Sequence, residues 1–195
     1  MTAEMSTTDW ITAVSTGIIA LLTIILAWVA YRQRAETKIV QRAYLNVKPE
    51  GIVTNTQGEL LGHVAFKNVG KLPATEFKYV FMDVMVSHGD WKTPRLKDRA
   101  FENTDDDQGL VPVGASVPIG SSPITLAQVA RSEVPDDKKY LYVWGRAKFM
   151  DGFSSGRWIN FCHRYPWAKR EPAPDGLMVS KRHARYHNWG NSADG

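Results

Sequence analysis

The sequence predicts a mainly β fold behind one transmembrane helix. Three observations carry that prediction. Residues 11–31 form a run, ITAVSTGIIALLTIILAWVAY, without a charged side chain. From Ala43 onward the pattern changes to short alternating stretches punctuated by Gly, Pro, Asn and Ser. Within that remainder Thr125 with Gln128 carries the start signal of one short helix: a side-chain acceptor followed three residues later by Gln.

The apolar run comes first. At about 1.5 Å per residue a helix over residues 11–31 spans roughly 30 Å, the thickness of a bilayer's hydrocarbon core. Glu4 and Asp9 precede it with no Lys or Arg, whereas Arg32, Arg34, Lys38 and Arg42 follow it. Basic residues beside a span are retained on the cytoplasmic side, so residues 1–10 are expected outside and everything after the span in the cytoplasm. Trp10, Trp28 and Tyr31 suit the two headgroup zones. A cleaved signal peptide fits less well, because a basic leading segment is missing, the run is long, and Ala27-Trp28-Val29-Ala30 is a poor cleavage site. A buried helix of a soluble protein seldom stays apolar on every face for this length. Thr12, Thr16, Ala20, Thr23 and Ala27 place small residues along one side, where two such helices could approach closely in lipid.

Residues 32–42 continue as a helical stalk, rich in helix formers. Strands are then expected at 43–48, ending at Pro49; at 60–68, with Leu60, Val64 and Phe66 on one face; and at 77–86, apolar on both faces as in a central strand. Residues 91–107 read as a long charged loop, and 111–119 as an edge strand with a turn because of their prolines and glycine. The capped helix follows at 126–132. Strands at 140–149 and 157–165 are joined by MDGFSSG, a hairpin composition. EPAPDG opens a tail over 171–195 that holds at most a short strand near 177–181. Short strands with frequent turns make residues 43–170 an antiparallel immunoglobulin-like β-sandwich with one short helix. Without a cysteine pair it has no inter-sheet disulfide.

RAYLNV (42–47), HVAFKNVGKLPAT (63–75) and YLYVWGRAKFMDGFSSGRWINFCHRY (140–165) resemble a group of uncharacterised small single-pass bacterial membrane proteins with one N-terminal span and one β-domain. FKNVGKLPAT is also similar to a strand–turn motif of bacterial adhesion-type β-sandwich modules, in which Asn-x-Gly closes one strand and Pro-Ala opens the next. The resemblance implies the fold and carries over no catalytic residue.

Charge adds little. All 24 Lys and Arg follow residue 31 and two of the 20 acids precede it, so 24 basic residues face 18 acidic ones in the remainder, a balance of +6. That is compatible with anionic surfaces without demanding one. The single cysteine, Cys162, suits a reducing compartment.

Chemical signatures are sparse. Cys162 and His163 are neighbours on a strand and point to opposite faces, so a thiol nucleophile would need His63 or His88 from elsewhere. His183 and His187 stand at i, i+4 without a third ligand, and the acidic clusters at 105–107 and 136–137 lack calcium-loop spacing. Neither a metal nor a cofactor site is expected. The most specific feature is the predicted hairpin. With Leu141, Val143, Gly145, Ala147 and Phe149 facing the core beside Ile159 and Phe161, the other face shows Tyr142, Trp144, Arg146 and Lys148 beside Trp158, Asn160 and Arg164. Such interleaved aromatics and cations form a candidate interaction surface, unless the tail, with Tyr186 and Trp189, packs over it. The expected function is a membrane-anchored binding or structural module without catalytic activity of its own. Its partners would be the bilayer, an unidentified protein and a second copy through the helix, with nucleic acid not expected. The alternative is an enzyme using Cys162 or a histidine site.

Overall fold

The computed structural model describes residues 7–89, 109–153, 156–188 and 190–193. The chain divides into two units that meet in sequence between Gln41 and Arg42.

The first unit is one continuous helix, α1 (Thr7–Gln41), which takes in both the apolar run and the stalk. Its apolar part has a mean hydropathy of 2.3 over its best window, and none of that window is buried. The hydroxyls of Thr12, Thr16 and Thr23 donate to the carbonyls of Thr8, Thr12 and Ile19, each at 2.8 Å. Their hydroxyls are therefore satisfied within the helix.

The second unit is mainly β and consists of two antiparallel sheets around one apolar core. The first sheet runs β4 (Ser116–Gly120), β2 (Glu59–Asn68), β1 (Leu45–Thr54), β9 (Gly176–Val179), β8 (Glu171–Ala173), with β5 (Ile124–Thr125) also on β2. The second runs β10 (Arg185–Tyr186), β7 (Arg157–Pro166), β6 (Lys139–Met150), β3 (Thr75–His88), with β11 (Ser192–Ala193) also on β7. Alternation along the strands builds the core: Leu60, Val64 and Phe66 from β2 and Leu141, Val143, Ala147 and Phe149 from β6 all turn inward. Phe66 joins the sheets, with ring centres 5.0 Å from Phe77 and 5.5 Å from Phe161. Between β5 and β6 lies α2 (Leu126–Ala130), shorter than expected, with the capping box of Thr125 and Gln128 formed in full.

Three expectations are corrected. The first strand does not end at Pro49. It runs on to Thr54, because Pro49 lies in the half of β1 that pairs with β2 alone, where its missing N–H breaks no ladder, and a bulge to Gly51 (φ 109°) absorbs the irregularity. β3 is not central: among the described residues it pairs only with β6. Both its faces are apolar because a bulge between Tyr79 and Phe81 shifts the alternation, sending Met82 inward while Phe81 packs on the outer face. Finally, the tail is part of the domain. β8 and β9 extend the first sheet through β1, and β10 and β11 extend the second through β7. The expected loop at 91–107 lies outside the described residues, as does Trp189.

The Asn-x-Gly motif has a physical role. Asn68 is fully buried; its amide donates to the carbonyls of Leu72 (2.8 Å) and Val111 (3.0 Å) and accepts from the Gly70 N–H (2.9 Å). Gly70 passes so close to Arg42 and Tyr44 that a Cβ there would stand 2.4 Å from their backbone atoms.

Candidate functional site

The ladder between β6 and β7 sets Tyr142 opposite Arg164, Trp144 opposite Cys162, Arg146 opposite Asn160 and Lys148 opposite Trp158. Opposed residues share a face, so the candidate residues do line one side of the second sheet. That side is not an open surface. Tyr142 is fully buried and Trp144 is 2% exposed; with Cys162 they form a second apolar cluster, to which Phe81 and Tyr140 add. Phe81 meets Trp144 edge to face at 5.0 Å, a favoured aromatic geometry. As a solvent-facing site the centre of the stripe is therefore corrected: Tyr142 and Trp144 are packing residues. Arg146, Lys148, Trp158 and Arg164 are half-buried around them. The Arg146 guanidinium lies 5.1 Å from the Trp158 ring and donates to Asn160 Oδ1 at 2.7 Å. Arg164 stands 5.5 Å from the Tyr140 ring and donates to the Gly89 carbonyl.

Part of the cover comes from the C-terminal residues. The His187 ring meets Tyr142 edge to face at 5.0 Å and is itself buried. On either side of Cys162 the tail pairs with β7 through backbone, Tyr186 opposite His163 and Ser192 opposite Asn160. In between, the Asn191 side-chain amide accepts from the Cys162 N–H (2.9 Å) and donates to the Cys162 carbonyl (3.2 Å), which also accepts from the His187 N–H (3.0 Å). No sequence motif marks Asn191, and the i, i+4 spacing that singled out His187 says nothing of its packing on Tyr142, because both residues act through the short strands beside them and not through a local pattern.

The chemistry of Cys162 follows from this burial. Desolvation pushes its thiol up to about 12, so at neutral pH it is a protonated apolar group and not a nucleophile. His63 stands on the opposite sheet, on a β2 position that alternates away from the core. His88 is five residues along β3 from Asp83, the residue in register with Trp144 and hence with Cys162, about 16 Å at 3.3 Å per residue. His163 faces the core. His183 and His187 are not on one helix: a short 3-10 turn (Lys181–His183) leads into β10, placing His183 near Glu171 and His187 on Tyr142. Among the described residues no three His, Cys, Asp or Glu side chains converge as a metal site. In the folded protein Cys162 should resist a maleimide reagent and react fully once denatured; mass spectrometry of the two states reads this directly. Rapid native labelling would show the tail cover to be absent in solution.

Two clefts border this region, both open to solvent. One, of about 320 Å³, is lined by Arg42, Tyr44, Phe149, Arg157 and Trp158. The other, of about 520 Å³, lies where β1 and β7 approach, between Asn46, Val47, Asn160, Tyr186 and Asn191. No family model, no curated protein and no solved structure matches this chain.

Proposed function

We propose that the chain is a single-pass membrane-anchored binding or structural module of the bacterial inner membrane, with its N-terminus outside, its β-domain cytoplasmic and no catalytic activity of its own. The observation that carries this reading is α1. Its apolar stretch is long enough to span a bilayer and none of it is buried by the rest of the chain, so its large side chains require another apolar medium. The basic residues after the span support the orientation. The strand order supports an immunoglobulin-like sandwich. With β1, β2 and β4 in one sheet and β3, β6 and β7 in the other, the crossovers follow the arrangement in which the first, second and fifth strands face the third, sixth and seventh. Burial of Cys162 speaks for the non-catalytic reading, and the small-residue face of α1 for self-association. The partner protein in this reading does not dock on Tyr142 and Trp144; what remains accessible of that face is the rim of Arg146, Lys148, Trp158 and Arg164.

A reporter active only in the cytoplasm, fused after Gly195, should be active, and the full chain should stay in the membrane fraction after alkaline extraction. Activity of a periplasm-only reporter at the same position would reverse the topology, and release by alkali would remove the anchor.

A further inference from the structure

β1 is paired along its whole length on one side and only near its end on the other. β2 pairs with it from Leu45 to Thr54, whereas β9 meets Ile52 and Val53 alone. The register tells which way the main chain of the first half points. Val69 N–H donates to the Tyr44 carbonyl (2.8 Å), and Leu45 stands opposite Asn68. Hydrogen-bonded residues alternate in an antiparallel ladder. Tyr44, Asn46 and Lys48 therefore bond to β2, and Leu45, Val47 and Pro49 turn their main-chain groups away from it. Val47 agrees with this phase, because its carbonyl accepts from the Tyr186 hydroxyl of β10 (3.3 Å). Among the described residues no strand takes up the Leu45 N–H and C=O or the Val47 N–H. The edge faces open space. The two clefts lie against it in succession, the smaller at Tyr44 and Leu45, the larger at Asn46 and Val47, and both reach Ile159 and Ala193. Together they follow β1 for about 13 Å, four residues at 3.3 Å each.

We propose that the open edge of β1 binds an extended peptide segment of a partner protein, one whose side chains alternate between apolar and acidic. The inference rests on the reading of the β-domain as a binding module and names the class of its partner. A row of main-chain donors and acceptors without a neighbouring strand is a template for one more strand, so it calls for extended backbone. The side chains of an added strand alternate. Those level with Leu45 and Val47 enter the groove, and those level with Asn46 and Lys48 face solvent. Phe149, Ile159 and Phe161 line the groove and select apolar groups for the first set. Lys48 selects an acid for the second. It is exposed, and among the described residues no carboxylate pairs with it, the nearby Glu50 being engaged by Lys181 (2.6 Å). A basic strand would set like charges opposite each other there. Tyr186, 59% exposed, is the provisional occupant: its hydroxyl holds the Val47 carbonyl until an incoming N–H takes over.

The test uses the full chain in phosphatidylcholine nanodiscs and a capped, fluorescein-labelled nine-residue peptide of alternating valine and glutamate, with binding read by anisotropy. The chain should bind it about fivefold more tightly than the valine–lysine peptide of the same length, and Lys48→Glu should reverse that order. Two further peptides are methylated on the amide nitrogens of either the valines or the glutamates. Only one of these sets points at β1, so one methylated peptide should lose about tenfold or more in affinity and the other stay within about twofold. Loss through the valine set means antiparallel addition, loss through the glutamate set parallel addition. Tyr186→Phe should tighten binding about twofold by leaving the Val47 carbonyl to the peptide. Failure of the valine–glutamate peptide to bind overturns the proposal. Equal binding of the two methylated peptides also overturns it, placing the peptide on another surface and leaving the module reading intact. Binding present with one chain per nanodisc and lost with two gives the edge to a second copy of this chain, which overturns it as well. Cleavage of the peptide, seen by mass spectrometry, removes the non-catalytic module and the proposal with it.

Discussion

Replacing Trp144 by Ala should cost the β-domain about 3–5 kcal/mol and lower its thermal midpoint by on the order of ten degrees, with no change in the N-terminal helix. The ring is 2% exposed and packs against Phe81 within a cluster that also holds Tyr142 and Cys162. Its removal therefore leaves a cavity bounded by large rigid side chains from several strands, which collapse poorly. Arg146→Ala, on the same face, should cost no more than about 1 kcal/mol, since the contacts it deletes, among them the cation–π contact with Trp158 and the hydrogen bond to Asn160, are half-buried. Circular dichroism melts of the two variants in detergent separate the alternatives. A wild-type midpoint for Trp144→Ala would mean that the ring faces solvent and that the outer layer of the second sheet is a surface after all.

Mild acid should destabilise the domain through His163. This side chain is fully buried on the core side of β7, beside Phe161 at 5.9 Å and Tyr186 at 5.0 Å. Desolvation lowers its pKa from the ordinary 6.5 to about 4, and an approach to the Val47 backbone that falls short of hydrogen-bond geometry offsets only part of this. The sign follows from proton counting. Between pH 6.5 and 4 the unfolded chain binds a proton that the folded chain refuses, so stability is complete above about 6.5 and falls as the pH drops towards 4. A gap of this size corresponds to roughly 3 kcal/mol across the window. Denaturant midpoints measured from pH 7.5 to 4.5 should decline for the wild type and stay nearly level for His163→Phe. Parallel slopes for the two proteins would place the titration elsewhere.

What could be read from the residues alone divides along a physical line. Local patterns were legible. The apolar run, the capping box, the alternation of β2 and β6 and the Asn68-x-Gly70 turn each act within a few residues, and each appears in the structure as helix, cap, strand or buried hydrogen-bond hub. The inward and outward faces of the hairpin were legible too, because register fixes them. Features set by distant strands were not. Pro49 looks like a stop until it is known which edge of β1 lacks a neighbour. The apolar faces of β3 look central because a bulge cannot be told from a change of layer. Residues 171–195 read as a tail because their strands are only two to four residues long and their partners lie far back in sequence. The candidate site suffered from the same gap: the composition of the stripe was right for a surface, and only the packing of Phe81 on Trp144 and of His187 on Tyr142 reveals that its centre is covered.

The pairing of the first β-strand with the ninth has a consequence for biosynthesis. Ile52 and Val53 wait for Val179 and Met178, and β7 for the two short strands after it. The domain thus cannot close vectorially as it leaves the ribosome, because the first sheet stays incomplete until Val179 has emerged and the second until Ala193 has. By then the apolar helix, which precedes the domain in the chain, has already been made. The nascent domain therefore searches for its final pairings as an open, tethered chain with aromatic faces bare, the interval in which a chaperone has the most to hold and a protease the most to cut.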